Sequence, residues 1–93
     1  MFVIVKSGPE TQDGKRGVKL ARDMGADLCL VQNAVYFAQK ERLEGFCGTL
    51  YALEDDLRLR GLKDDELEKE TKKLGYVGLV EIMADEDKVV GMF

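Results

Sequence analysis

Histidine and tryptophan are missing from this 93-residue chain, and proline occurs once. Without histidine there is no Ser/His/Asp or Cys/His nucleophile, and a zinc site would rest on two cysteines eighteen positions apart plus carboxylates. A metal hydrolase is improbable on that ground, and no metal is expected. Phosphate-binding loops are absent too: Gly8 has no second and third glycine at dinucleotide-binding spacing, and no Gly-Lys-Ser/Thr occurs. No cofactor is expected. The apolar start, residues 2–5, is stopped by Lys6, far short of the roughly 20 apolar residues of a membrane span, and the charged leader of a secretion signal is missing. A cytoplasmic protein away from membranes is the expectation, with its two cysteines as thiols rather than a disulfide. Basic charge is scarce as well. A net charge of −4 argues against direct nucleic-acid binding, because phosphate backbones are met by Lys and Arg.

What the chain does have is the composition of one globular domain, spanning 1–93, with 45% hydrophobic and 34% charged residues. Its most informative stretch is Leu28-Cys29-Leu30-Val31-Gln32-Asn33, four apolar residues without polar alternation that end in an amide pair. Such a run reads as a strand covered on both faces, the setting of a parallel sheet in an α/β fold. Gln32 and Asn33 then lie at the strand's carboxyl end, the edge where open α/β sheets bind ligands and partners.

Residues 2–5 give a first strand, and Gly8-Pro9 breaks the chain after it. Val18, Ala21 and Met24 recur with helical spacing over 13–24, and Gly25 supplies the stop. Asn33 fits an N-cap for a helix with Ala34, Phe37 and Ala38 on one face and Gly45 near its end. Residues 46–52 read as a third strand. A short helix over 54–60 carries Glu54, Asp55 and Asp56 in its first turn and Arg58 and Arg60 in its last, complementing the helix dipole, with Gly61 ending it. Residues 63–73, dense in charge with Leu67 as their large apolar member, predict a solvated helix or mobile loop. The periodicity of 76–83 fits helix and strand alike. Residues 88–93 form a closing strand candidate. Strands alternating with helices imply a doubly wound sheet with right-handed crossovers.

Read together, Val3-Ile-Val-Lys-Ser-Gly8, Leu30-Val-Gln-Asn-Ala-Val35, Tyr51-Ala-Leu-Glu-Asp-Asp-Leu-Arg-Leu-Arg-Gly-Leu62 and Val89-Val-Gly-Met-Phe93 resemble the DsrE/DsrF/DsrH sulfur-relay family, in its DsrH/TusB branch. The resemblance implies a three-layer α/β/α fold around a mostly parallel five-stranded sheet, with a fourth strand ending near Tyr76 and a helix over 77–84. It also implies hetero-oligomers with DsrE-like and DsrF-like subunits, which pass persulfide sulfur between cysteines, in one branch towards 2-thiouridine at the tRNA wobble position and in another during dissimilatory sulfur oxidation. TusB-like chains often lack the sulfur-carrying cysteine. Family members that have it carry it near the first crossover, and residues 11–24 here contain none.

A persulfide carrier needs an exposed thiolate lowered in pKa by a cation or a helix N-terminus. Cys29 falls in the middle of a buried strand and reads as a small core residue. Cys47, near the start of the third strand and opposite the crevice, is the weak catalytic candidate; both thiols are expected to be out of a donor's reach. Asn33 is explained by capping, or, with Gln32, by a subunit interface or small-ligand crevice that Lys6, Ser7 and Tyr76 join at the same edge. Three functions follow as expectations: a non-catalytic subunit of a sulfur-relay complex, a persulfide carrier through Cys47, or a self-associating protein binding a small ligand.

Overall fold

The computed structural model describes residues 1–43, 46–91 and 93. Among these, five strands form one sheet in the order β4-β3-β2-β1-β5: β1 Phe2–Val5, β2 Asp27–Leu30, β3 Leu50–Leu53, β4 Lys72–Leu74 and β5 Val89–Val90. Every neighbouring pair runs parallel, with Ile4 opposite Cys29 and Cys29 opposite Tyr51 in register. The expected sheet is present, and it is parallel throughout.

Three α-helices cross between strands: α1 Gln12–Met24, α2 Glu54–Leu59 and α3 Tyr76–Asp85. The chain steps outward from β1 to β4 and then returns across the sheet to β5, so right-handed crossovers put α3 alone on the second face. The two cores record this split. Val3, Val5, Leu28, Leu30 and Ala52 share one cluster with Val18 and Ala21 of α1 and Leu57 of α2. Phe2, Ile4, Cys29, Val31 and Leu53 face the other way and meet Leu79 and Ile82 of α3. Alternating residues of each strand thus reach opposite sides, and both are apolar because both are covered.

Local chemistry sets the helix ends. Thr11 caps α1, its hydroxyl accepting the Gly14 N–H at 3.0 Å and donating to the Gly8 carbonyl at 2.8 Å. Gly25 closes α1 with φ 62°, a left-handed conformation that costs a residue with a Cβ about 1–2 kcal/mol.

Three stretches depart from sequence expectation. Residues Gln32–Ala38 form a 3-10 helix rather than an α-helix, entered from Val31 with no side-chain cap. Asn33 is therefore not an N-cap, because its side chain is engaged elsewhere; the end expected near Gly45 lies outside the described residues. The third strand begins at Leu50 instead of residue 46, since the Thr49 N–H is taken by the Asp27 carboxylate at 3.0 Å. Residues 63–73 are only in part the solvated segment expected: Asp64–Glu66 form an exposed 3-10 turn, but the residues after it are tied to the fold. Leu67 is buried at 4% exposure, an antiparallel bridge joins it to Gln39, and the charged end becomes edge strand β4. Lysines suit that position, for a charged edge resists pairing with another chain.

Candidate functional site

Strands β1, β2 and β3 all end at one sheet edge, and the segments leaving them are stitched together. Val31 N–H donates to the Val5 carbonyl at 2.9 Å and Ala34 N–H to the Lys6 carbonyl at 3.2 Å, so the turns after β1 and β2 lie side by side. Lys6 and Ser7 both donate backbone N–H groups to the Phe93 carbonyl, at 2.8 and 3.0 Å, which ties Phe93 to the turn after β1. The Lys6 side chain is exposed and Ser7 half-buried.

Gln32 leaves β2 with φ 50°, a conformation disfavoured for a residue with a side chain. Its backbone N–H is held by the Asp56 carboxylate at 2.7 Å. Asn33 Oδ1 accepts two N–H groups of Arg60, from Nε at 3.1 Å and Nη2 at 3.0 Å. Arg60 also pairs with Asp56 at 3.4 Å, both side chains being shielded, at 21% and 14% exposure. A four-residue polar cluster, Gln32-Asn33-Asp56-Arg60, thus locks the end of β2 to α2. The sequence reading named the two amides but missed Asp56 and Arg60, assigning them to the helix dipole alone. Their partners lie 24 and 27 residues away, beyond any local signal.

Tyr76 stands apart. It opens α3 at the end of β4, with β3 between it and β2, and its side chain is 63% exposed. The edge therefore holds Lys6, Ser7, Gln32 and Asn33 as neighbours, with Tyr76 at its far end.

The thiols lie elsewhere. Cys29, in central strand β2, is fully buried, and desolvation pushes its pKa from 9.0 up to about 12. That thiol stays protonated at neutral pH. Cys47, by contrast, is exposed, which corrects the expectation that both sulfurs are out of reach. It sits at the opposite, amino-terminal edge, because the chain from Cys47 runs straight into β3. The open depression beside it, about 470 Å³, is lined by Glu41, Glu68 and Glu70. Among the described residues no group of three His, Cys, Asp or Glu side chains can hold a metal ion, and no helix is long and apolar enough to cross a membrane.

These features define a doubly wound α/β protein whose carboxyl-edge site is polar and carries no thiol among the residues that build it. The family described as DsrH like protein matches residues 6–89, and the chain belongs to that family, which ties it to sulfur relay in general terms. In three dimensions it is similar to the crystal structure of ychN protein from E. coli, with a TM-score of 0.82, 17% identity, and coverage of 98% of this chain and 97% of that one. At that identity the likeness speaks for the fold. No curated protein matches the sequence.

Proposed function

We propose that this protein is a non-catalytic subunit of a cytoplasmic sulfur-relay complex, assembled with DsrE-like and DsrF-like subunits and serving a route such as wobble-uridine 2-thiolation of tRNA or dissimilatory sulfur metabolism. The observation that carries this reading is the lack of a thiol at the carboxyl edge: Cys29 is sealed in the sheet and protonated, Cys47 opens at the opposite edge beside Glu41, Glu68 and Glu70, and the carboxyl-edge cluster offers amides and an Arg–Asp pair instead of a nucleophile. Its contribution is to shape and position the carrier subunit's surroundings, with Lys6, Ser7, Gln32, Asn33 and Tyr76 as the contact edge. Contact with tRNA is left to other chains, in keeping with the net charge of −4. Affinity purification of the tagged chain from its native cells tests this. DsrE-like and DsrF-like chains are expected in stoichiometric amounts, and repeated recovery of the chain alone refutes it.

The exposure of Cys47 favours a second reading. As a carrier, its thiolate attacks the outer sulfur of a donor persulfide: a new S–S bond forms at Cys47, the donor S–S bond breaks, and the donor leaves as a thiolate. Mass spectrometry after incubation with a persulfide donor then shows one added sulfur atom, absent in Cys47→Ser. No adduct on the unaltered chain excludes the carrier role.

A further inference from the structure

Helix α3 has two apolar faces and only one of them is covered. At about 100° per residue, Gly78, Leu79 and Ile82 point to the sheet, whereas Met83, Tyr76, Val80 and Val77 follow one another over an outward arc of about 120°. Those four are 38%, 63%, 60% and 72% exposed. A lone surface helix in this fold needs one apolar stripe; a second costs solubility unless something covers it. Together the four side chains expose roughly 400 Å² of apolar area. A standard interface takes about 800 Å² from each partner, a little over half of it apolar, so this face supplies about what one partner contributes.

Charge selects the occupant. The arc is bordered on one side by Glu81 and Asp85, and α3 carries no cation of its own. Antiparallel two-fold packing of α3 on its copy sets both acidic borders along the same rim, so four carboxylates face each other. Parallel two-fold packing presses each acidic border onto the copy's Met83 margin, desolvating carboxylates with no counter-charge from the helix. Neither arrangement is self-complementary.

We infer that the outer face of α3 is the docking surface for a different polypeptide, one that presents an apolar helix or sheet face bordered by Lys or Arg. This rests on the subunit reading above and deepens it by adding a second surface, joined to the proposed contact edge at Tyr76, and the chemistry of the partner.

The test uses the purified DsrE-like and DsrF-like chains encoded by the same genome, titrated calorimetrically with this protein. Val80→Lys is expected to weaken binding at least tenfold while leaving the isolated chain's Tm unchanged, since Val80 is largely exposed. Glu81→Lys with Asp85→Lys is expected to weaken it several-fold and flatten its salt dependence, and amide exchange over 76–85 is expected to slow in the complex. A complex that forms with Val80→Lys at unchanged affinity and unprotected α3 amides overturns the surface while leaving the subunit reading standing. Binding by the unaltered chain to neither partner overturns both. A dimer of the isolated chain in analytical ultracentrifugation that Val80→Lys dissolves gives the face to a second copy and overturns the choice of partner. Indifference to the double charge reversal overturns the basic border.

Discussion

Replacing Arg60 by alanine removes, in one step, both donors to Asn33 Oδ1 and the cation paired with Asp56. A hydrogen bond to a charged group contributes about 1.5–3 kcal/mol net when shielded, and an exposed ion pair about 0–1 kcal/mol. With Arg60 at 21% exposure the contribution falls between these limits, so a loss of about 2 kcal/mol is expected for the cluster as a whole. In a domain of this size that lowers Tm by about 10 °C. Urea unfolding is the cleaner assay, because an unchanged slope shows that the native state stays compact while the midpoint falls. Asn33→Ala completes a double-mutant cycle, with an expected coupling of about 1 kcal/mol. Arg60→Lys should restore less than half of the loss, since an ammonium lacks the planar fork that gives two N–H groups to one oxygen. If Arg60→Ala unfolds within about 0.5 kcal/mol of the unaltered chain, the cluster contributes nothing to stability, and if the two alanine effects simply add, Arg60 and Asn33 do not act together; either result refutes the reasoning.

Other expectations follow from the same geometry. Gln32→Gly relieves a left-handed residue at the cost of backbone entropy and is expected to stabilise by about 0.5–1 kcal/mol; a fall in Tm contradicts the strain argument. Leu79→Ala empties the buried face of α3 and should cost about 2–4 kcal/mol in urea, against almost nothing for Val80→Ala one position on. The raised pKa of Cys29 leaves stability intact below pH 9.0, where folded and unfolded thiols are both protonated, and removes it as pH rises towards about 12, because only the unfolded chain ionises in that window. The slope is at most about 1.4 kcal/mol per pH unit and should vanish in Cys29→Ala; stability that holds equally for both chains above pH 9.0 refutes the shift. Iodoacetamide at neutral pH should label Cys47 and spare Cys29 until unfolding, as peptide mass spectrometry reads directly.

The apolar runs at residues 2–5 and 28–31 disclosed a parallel sheet because strands covered on both faces leave no room for polar alternation. Gly25 and Gly61 marked helix ends through a conformation few other residues tolerate. Strand β4 was hidden from the residue pattern and came only with the family resemblance, since lysines protecting an edge look like any solvated segment. The ambiguity of 76–83 had a physical source: a helix apolar on two faces loses the single stripe that periodicity detects. The candidate site was half visible. Gln32 and Asn33 were placed at the correct edge by their position after a strand, but what they bond to was not.

On its own, the order of residues settled what depends on near neighbours: that the apolar runs at 2–5 and 28–31 are strands, that Gly25 and Gly61 end helices, and which family the chain resembles. The tertiary structure decided everything that needs distant parts of the chain to meet. Asp56 and Arg60 capture Gln32 and Asn33 only because parallel pairing brings the ends of β2 and β3 together. Likewise, whether a thiol is sealed or open, and whether an apolar helix face is core or surface, depends on what packs over it, and packing is a property of the folded whole.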